Sequence, residues 1–388
     1  MQKKSWRINE KEYEYLSAVL ESGFPGSASV SFTAKLEKMF AEKFNSKYAI
    51  SFANGTATLH AALVAAGVGP GAEVIVPPLT MTATTMAVLF TGATPVYADI
   101  DPDTFLISPT SIRKCVTSRT KAIMPVALYG LSPDYDEINK IANQYKLTVI
   151  EDDAQCFGGK YKGKMVGTLG DIASFSFQNS KHMTCGEGGM VITSNPEHAV
   201  SIRRFSSLGY GNVSAEPGKS RINKNELVKP DFARHVSLGY NYRLSELCSA
   251  VAYAQLEKLE TFIACRKKCA AAYSEVIGNT SWLKAQKNPD NCENSYWAYT
   301  VKLVNPEVGW TDFYDKFKEF GGDGFYGAWR LSYNEPFLQN VIPEYQRQCP
   351  VAESTQPLLM QFKTNYGSEP EIAEQAEALR KTLDFFGR

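Results

Sequence analysis

Between residues 48 and 150, short apolar runs alternate with segments whose apolar residues recur every three or four positions. The short runs are rich in β-branched residues and predict strands, and the repeat near 3.6 residues predicts helices. Strands that alternate with helices form right-handed β-α-β units, which predicts a parallel sheet covered by helices on both faces. In such a sheet, ligands bind at the carboxyl ends of the strands.

These patterns divide the chain into individual elements. Two helices around a Gly-Pro turn are expected within residues 8–45. The predicted strands are 48–52, 73–77, 94–99, 120–126, 147–150, 172–177, 190–193 and 297–304. The predicted later helices are 59–68, 80–90, 108–116, 135–145, 247–259 with a longer helix to 273, 311–320 and 369–386.

The character of the chain changes near residue 275. Before this point, residues 200–235 are polar and rich in Lys, Arg, Asn and Gly, which predicts a long loop. Beyond it, shorter strand-like pieces alternate with aromatic loops. We therefore expect a large domain over residues 1–275 and a smaller C-terminal domain over residues 276–388.

Candidate chemistry is concentrated in residues 171–194. Ser176 lies near the end of one predicted strand, Lys181 lies in the polar loop that follows, and a Gly-Glu-Gly-Gly turn precedes the next strand. A Schiff-base lysine would sit on such a loop, because the glycines let the backbone approach a ligand. A lysine beside a Gly-rich turn is also commonly only solvated. The spacing alone leaves both interpretations open.

Two other predicted strands end in polar or small residues. The first runs into Ala53-Asn54-Gly55-Thr56 and then a helix, an arrangement whose free N–H groups and dipole attract a phosphate. The strand at 147–150 ends in Glu151-Asp152-Asp153, which would bring carboxylates to the same edge of the sheet. The alternatives are that Thr56, and Asp152 or Asp153, only cap helices.

The composition and the short motifs of the chain argue against several classes of function. The chain has 388 residues, 44% of them hydrophobic, and its 41 basic and 41 acidic residues cancel, which argues against nucleic acid as a partner. No signal peptide or membrane span is predicted, and eight scattered cysteines favour free thiols in a reducing cytoplasm over a metal site. No G-x-G-x-x-G follows the first strand, which disfavours an NAD-binding enzyme.

Together these segments resemble the fold-type I pyridoxal-phosphate enzymes, and more narrowly the sugar aminotransferases of the DegT/DnrJ/EryC1/StrS family. The resemblance extends from residues 51–56 through residues 349–353. Its central motif is Ser176-Phe177-x-x-x-Lys181 followed by Gly186-Glu187-Gly188-Gly189. The resemblance implies an α/β fold with a mostly parallel seven-stranded sheet in the large domain and a smaller C-terminal α+β domain.

The resemblance also implies roles for individual residues. Lys181 would form a Schiff base with pyridoxal 5′-phosphate (PLP) and shuttle a proton, while Asp152 would pair with the ring nitrogen. Gln155 would hydrogen-bond the ring's phenolic oxygen. The residues expected at the phosphate are Gly55, Thr56, Ser176 and, reaching the neighbouring subunit of a homodimer, Asn241. The alternative is that Asn241 only holds a turn.

This chain departs from the family pattern at several positions. Met81 occupies the place of an aromatic ring over the cofactor, and its thioether would cover the ring instead. Ala127 replaces a histidine ahead of Leu128-Tyr129-Gly130, where Tyr129 is a candidate substrate contact. His182 follows Lys181; in a dehydratase branch of the family histidine replaces the lysine, but here the lysine keeps its spacing. His182 is therefore interpreted as a neighbour, buried or facing the substrate.

Three further residues are candidates for substrate contacts. Arg243 would bind a donor carboxylate or else be structural. Trp329 and Tyr333 lie where family members shape the acceptor pocket, although an aromatic cluster is also typical of a core.

The expected function is PLP-dependent transfer of an amino group from glutamate or glutamine, through pyridoxamine 5′-phosphate, to a keto sugar. A nucleotide-linked sugar, in surface-polysaccharide or secondary-metabolite biosynthesis, is the acceptor that the resemblance implies. The basic loop around Lys219, Arg221, Lys224 and Lys229 would suit a diphosphate and adds slightly to this expectation. The alternatives are a cyclitol or aminohydroxybenzoate-type enzyme of the same family and, more remotely, a non-catalytic PLP-binding regulator.

Overall fold

A computed structural model gives the fold and describes residues 5–24, 31–219, 225, 228–278, 280–344 and 347–387. In these parts of the chain, the helices are α1 (Glu10–Glu21), α2 (Phe32–Lys43), α3 (Gly55–Ala65), α4 (Ala83–Phe90), α5 (Pro109–Cys115), α6 (Tyr135–Tyr145), α7 (Pro196–Ser206), α8 (Glu246–Glu257), α9 (Leu259–Ile277), α10 (Trp310–Glu319), α11 (Pro336–Val341), α12 (Pro350–Thr355) and α13 (Glu369–Phe386). The strands are β1 (Tyr48–Phe52), β2 (Glu73–Val76), β3 (Thr94–Tyr97), β4 (Thr120–Ile123), β5 (Thr148–Asp152), β6 (Lys160–Tyr161), β7 (Lys164–Met165), β8 (Ile172–Ser176), β9 (Gly189–Thr193), β10 (Leu283–Ala285), β11 (Cys292–Glu293), β12 (Ala298–Leu303), β13 (Phe325–Gly327) and β14 (Leu359–Lys363).

The largest sheet has seven strands in the order β1-β9-β8-β5-β4-β2-β3. The pairs from β8 to β3 are parallel, and β9 runs antiparallel to both β1 and β8. All residues of β2, β8 and β9 are buried, as expected of strands covered on both faces. The predicted α/β class with a mostly parallel seven-stranded sheet is confirmed.

A second, antiparallel sheet has the order β10-β12-β14-β13. Its core is rich in aromatic residues, among them Phe313 and Phe317 of α10 and Phe362 of β14, and α13 packs on it through Leu379. Helix α9 joins the two parts of the fold, because it contributes to this second core as far as Ile277. The proposed division of the chain at residue 275 stays a prediction.

The N-terminal segment is fixed at the start of its first helix and just before it. Helix α1 begins with a capping box in which Asn9 and Glu12 satisfy each other's backbone N–H groups. Ahead of it, the ring of Trp6 packs edge-on against Phe262 of α9, with centroids 5.4 Å apart. The residues before α1 therefore lie against the body of the protein.

Several sequence predictions need correction. The helix predicted over residues 59–68 is Gly55–Ala65, and the helix predicted to end at residue 273 continues to Ile277. The loop predicted from residue 200 is wrong for residues 200–206, which belong to α7; Asn195 caps this helix, and Ile202 and Phe205 on its inner face are buried. The helix predicted from residue 80 begins at Ala83. Among the described residues, no helix is both long and apolar enough to cross a membrane.

Candidate active site

The strand ends predicted to carry chemistry meet at one edge of the large sheet. β5 and β8 are parallel neighbours, and the last residue of β1, Phe52, pairs with Gly189 at the start of β9. The edge borders a cavity of about 1120 Å³. The predicted site residues that line this cavity are Gly55, Thr56, Met81, Asp152, Gln155, Ser176, Lys181 and Trp329.

Helix α3 begins at the cavity with its backbone close to β8. Asn54 is the N-cap, and its side chain accepts a hydrogen bond of 2.9 Å from the N–H of Ala57, so Thr56 is not the cap. A Cβ at Gly55 would lie 2.7 Å from the Cβ of Ser176, a contact that excludes any other residue without rearrangement. The first N–H groups of the helix have no acceptor inside it and are available to a ligand.

Asp152 is buried at the last position of β5. Its Oδ2 accepts a hydrogen bond of 2.8 Å from the hydroxyl of Thr84, and its Oδ1 accepts one of 3.3 Å from the N–H of Ala154. Burial raises the pKa of Asp152, and Thr84, Ala154 and the charge of Lys181 oppose this effect. No helix begins within residues 153–171, all of which are described, so Asp152 does not cap a helix.

The two neighbouring acids have other roles. Glu151 accepts hydrogen bonds from the N–H groups of Gly167, Leu169 and Gly170 at 2.6–2.8 Å and thereby fixes a turn. Asp153 is fully buried, and neither of its carboxyl oxygens has a hydrogen-bond partner among the described residues. Burial, then Glu151 and Asp152, raise its pKa well above the usual value. Among these three acids, Asp152 alone lines the cavity.

Lys181 lies in the loop between β8 and β9, with its side chain partly buried. Its Nζ lies 5.1 Å from the centroid of the Trp297 ring. Burial lowers the pKa of the amine to about 8; Arg266 lowers it further, whereas Asp152 and Glu187 raise it. A substantial fraction of the amine is therefore neutral near pH 8, unlike a solvated surface lysine.

Gln155 is oriented by a strained turn at residues 128–130. Its Oε1 accepts a hydrogen bond of 2.9 Å from the N–H of Tyr129, whose φ of 64° is unusual for an aromatic residue. This contact leaves the NH₂ of Gln155 as the donor for a ligand. The Tyr129 side chain is fully buried and stacks on Trp329, with centroids 6.3 Å apart, so Tyr129 supports the site from behind.

Two other candidate substrate residues also lie behind the cavity wall. His182 is fully buried, with its Nε2 3.0 Å from the carbonyl oxygen of Ser295. Tyr333 is buried as well and donates a hydrogen bond of 2.9 Å to Glu353. Met81, by contrast, is 49% exposed and lines the cavity, as expected for a side chain that covers a ligand.

Asn241 and Arg243 follow the long polar segment. Asn241 is exposed and pairs with Ser207 through an isolated antiparallel bridge. Arg243 is partly buried and is not among the residues that line the cavity. In the polar segment itself, Arg221 and Lys224 lie outside the described residues.

The sequence prediction missed two residues that contact the site. Thr84 holds the carboxylate of Asp152, as described above. Trp297 covers the amine of Lys181, donates a hydrogen bond of 2.9 Å to the carbonyl oxygen of Ser180, and stacks on Trp329 with centroids 5.6 Å apart. Trp297 lies more than 100 residues from the lysine loop, so no local pattern connects the two.

The profile of the DegT/DnrJ/EryC1/StrS aminotransferase family matches residues 7–371. The chain belongs to this aminotransferase family. The aminotransferase is 38% identical over 294 residues to GDP-perosamine synthase of Escherichia coli O157:H7, covering 76% of this chain and 75% of that protein. It is 40% identical over 278 residues to UDP-2-acetamido-2-deoxy-3-oxo-D-glucuronate aminotransferase of Pseudomonas aeruginosa, covering 70% and 71%.

The fold of this aminotransferase is also similar to a solved structure. The crystal structure of 3-amino-5-hydroxybenzoic acid synthase superimposes with a TM-score of 0.84 at 28% identity and covers 97% of both chains. The predicted family, the aminotransferase activity and the fold class are thus confirmed. Aminotransferases of this family depend on PLP.

Proposed function

We propose that this aminotransferase binds PLP in the cavity at the sheet edge and passes an amino group to a nucleotide-linked keto sugar. One observation carries the cofactor assignment: a lysine of lowered pKa, a buried carboxylate and the start of a helix line the same cavity. These groups match the aldehyde, the protonated ring nitrogen and the phosphate of PLP, respectively.

The phosphate is assigned to the start of α3. Gly55 and Thr56 supply N–H groups there, and the hydroxyl of Ser176 lies beside Gly55. The partial positive charge of the helix terminus favours an anion. Because Gly55 has no side chain, the start of the helix and Ser176 lie close enough together to bind the same anion.

The ring is assigned to Asp152 and Gln155. Asp152 is oriented by Thr84 and offers a carboxylate to a ring N–H in a buried setting, where such a bond is strong. The NH₂ of Gln155 would donate to the phenolic oxygen, because Tyr129 already holds the carbonyl oxygen. Met81 would lie over the ring face in place of an aromatic residue.

When bound, PLP supplies an electron sink for the carbon that loses its proton. Lys181 holds the cofactor and moves this proton, which requires a neutral amine. Its pKa of about 8 provides that form near neutral pH. We propose glutamate or glutamine as the amino donor and pyridoxamine 5′-phosphate as the form that stores the amino group between the two half-reactions.

The nature of the acceptor is inferred from two relatives and from the size and lining of the cavity. Two relatives are named for a GDP-linked and a UDP-linked sugar. The cavity of about 1120 Å³ is large enough for a cofactor and a sugar together. Trp329, Trp297 and the exposed ring of Tyr326 line it and offer apolar faces to a sugar ring.

A homodimer with shared active sites is part of the proposal. Asn241 is exposed in the single chain, although the family resemblance assigns it to a phosphate. An exposed asparagine of this kind is available to the cofactor of a second subunit. Arg243, two residues further on, is proposed to bind the donor carboxylate.

A second candidate is an aminohydroxybenzoate-type or cyclitol aminotransferase. The structural similarity to 3-amino-5-hydroxybenzoic acid synthase over 97% of both chains favours it. The aromatic wall of Trp297 and Trp329 would suit a flat carbocycle as well as a sugar. The two candidates differ in whether the acceptor needs a nucleotide diphosphate.

The test is an acceptor comparison with purified protein, PLP and glutamate. GDP-linked and UDP-linked keto sugars, the same keto sugars without nucleotide, and a keto-cyclitol are each incubated and analysed by mass spectrometry. We expect amination of a nucleotide-linked sugar, none with Lys181→Ala, and unchanged amination with the exposed-lysine control Lys164→Ala. Amination of the cyclitol alone would contradict the nucleotide-sugar assignment, and amination by Lys181→Ala would contradict the site.

A further inference from the structure

Two buried guanidinium groups lie behind the loop that carries Lys181. Arg7 comes from the segment before α1 and is 5% exposed, and Arg266 comes from α9 and is 1% exposed. The two are close enough for the charge of Arg7 to lower the pKa of Arg266. Neither residue lines the cavity.

Arg7 holds the backbone of the lysine loop. Its Nη1 donates a hydrogen bond of 2.9 Å to the carbonyl oxygen of Asn179, and its Nη2 donates bonds of 2.8 and 3.3 Å to those of Lys181 and His182. Its own carbonyl oxygen accepts a hydrogen bond of 2.6 Å from Gln255 of α8. The N-terminal segment is thus linked to the loop on one side and to α8 on the other.

Arg266 connects the same loop to Trp297. Its Nη1 donates hydrogen bonds of 2.9 Å to the carbonyl oxygen of Trp297 and to the hydroxyl of Thr364. Its Nη2 lies 3.5 Å from the carbonyl oxygen of Lys181. Arg266 therefore contacts both the lysine loop and the backbone of Trp297, the residue whose ring covers the amine of Lys181.

The positive charge of this pair is not cancelled locally. Within the described residues, every hydrogen-bond acceptor of the two side chains is a neutral carbonyl or hydroxyl oxygen, and the Nε of each has no partner. Burial lowers the pKa of Arg7 to about 10 and that of Arg266 to about 9, so both stay charged at neutral pH. Burying unpaired charge is costly, which points to a use at this position.

We propose that Arg7 and Arg266 are positioning residues for Lys181: both fix the backbone of its loop, and the uncancelled charge of Arg266 favours the neutral amine. This inference rests on the proposed role of Lys181. The two arginines have different roles. Arg7 bonds three loop carbonyls, whereas Arg266 adds an electrostatic effect on the amine itself.

The charges that face the amine act in opposite directions. Asp152 at the end of β5 and Glu187 in the Gly-rich turn favour the charged amine, while Arg266 on α9 favours the neutral one. Arg7 and the neutral, buried His182 complete the surroundings of the loop. Removing the charge of Arg266 therefore raises the pKa of Lys181 and moves formation of the neutral amine to higher pH.

The test measures the amine directly in cofactor-free protein. Competitive labelling with acetic anhydride over a pH series, with mass spectrometry of the peptide that contains Lys181, gives the pH midpoint of its reactivity. The variants are Arg266→Gln, which removes the charge but keeps an N–H donor, Arg266→Lys, which keeps the charge, and Arg7→Gln. Arg203→Gln, a buried arginine outside the site, is the matched control for loss of structure.

For Arg266→Gln we expect a midpoint about one pH unit higher and labelling at pH 7 about tenfold slower. Arg266→Lys, Arg7→Gln and Arg203→Gln should keep the wild-type midpoint. Hydrogen–deuterium exchange of peptides covering residues 178–185 should become faster in Arg7→Gln but not in Arg203→Gln. An unchanged midpoint in Arg266→Gln, or equal shifts in Arg266→Gln and Arg203→Gln, would overturn the electrostatic role.

If Arg266→Gln does not fold, the Arg7→Gln and Arg266→Lys variants decide whether the two arginines position the loop through hydrogen bonds. Loop exchange that stays at the wild-type rate in both would overturn positioning by hydrogen bonds. Failure of this inference is distinguishable from failure of the proposed function. The proposed function fails if Lys181→Ala still binds PLP covalently, whatever the Arg266 variants show.

Discussion

Arg203 and Arg266 are equally buried, each 1% exposed, yet their surroundings differ in charge. Arg203 on α7 forms a two-pronged ion pair with Glu37 of α2, with both N–O distances 2.7 Å. Arg266 on α9 donates to neutral oxygens. One arginine therefore has its charge cancelled, and the other does not.

The difference separates a structural use of a buried cation from an electrostatic one. Glu37 also accepts hydrogen bonds from the N–H groups of Ser51 and Gly218, so the Arg203 network joins α2, α7 and β1 with its polar groups satisfied. The charge of Arg266 instead acts on Lys181. Burial alone does not distinguish these uses; the charge of the partners does.

The largest change is expected from removing the acid that opposes Arg266. Asp152→Asn should lower activity by about 100-fold or more, because the ring nitrogen loses its anionic partner. The same variant should lower the pKa of Lys181, since Asp152 raises it. Steady-state kinetics and amine labelling measure the two effects separately. Activity within tenfold of wild type would contradict the role of Asp152.

Breaking the cancelled pair should affect stability instead. Arg203→Met leaves the buried carboxylate of Glu37 without its cation and should reduce the free energy of unfolding by about 3–5 kcal/mol. The pH midpoint of Lys181 should stay unchanged in the fraction that folds. Urea denaturation measures the free energy of unfolding, and amine labelling measures the pH midpoint of Lys181. A shifted midpoint in Arg203→Met would contradict the proposed difference between Arg203 and Arg266.

A smaller effect is expected on the pH profile of activity when the charge of Arg266 is removed. Arg266→Gln should reduce the rate at pH 7 about tenfold and shift the rise of the pH profile about one unit higher, so that the rate approaches that of the wild type only above the shifted midpoint. The profile shifts to higher pH because the neutral amine of Lys181 forms at higher pH when its pKa is raised. Arg266→Lys keeps the charge and should show the wild-type profile. A rate loss that is independent of pH would indicate structural damage alone.

The smallest effect is expected at Thr84. Its hydroxyl lowers the pKa of Asp152, so Thr84→Val should raise that pKa and protonate the acid at a higher pH. Activity on the acidic side should fall by about threefold, with little change at alkaline pH. Thr84→Ser keeps the hydroxyl and serves as the control. A uniform loss across the pH range would contradict a role through Asp152.

Much of the fold was predictable because its local patterns agree with the tertiary structure. The alternation over residues 48–150 predicted the parallel strands β2 to β5, and buried strands such as β2 and β9 contain short apolar runs. Helix α7 was missed because its exposed face is polar and its inner face carries few apolar residues. A weak amphipathic stripe of this kind resembles a polar loop.

Several residues that line the cavity were predictable from the sequence, whereas the two arginines behind the lysine loop were not. Asp152 ends a strand, Gly55 begins a helix and Lys181 lies in the loop between two strands, and sequence motifs mark all three positions. Arg7 contacts a carbonyl 174 residues away, and Arg266 contacts one 85 residues away. Such contacts depend on how helices pack around the loop, so they have no signature in local spacing.

The central claim is that Lys181 holds PLP and transfers an amino group. The most direct test records the absorption spectrum of purified protein with PLP, before and after glutamate or glutamine, for wild type and Lys181→Ala. We expect a band of bound PLP that one of these donors bleaches in the wild type and that is absent from the variant. A wild-type band that neither donor changes would contradict aminotransfer at this site.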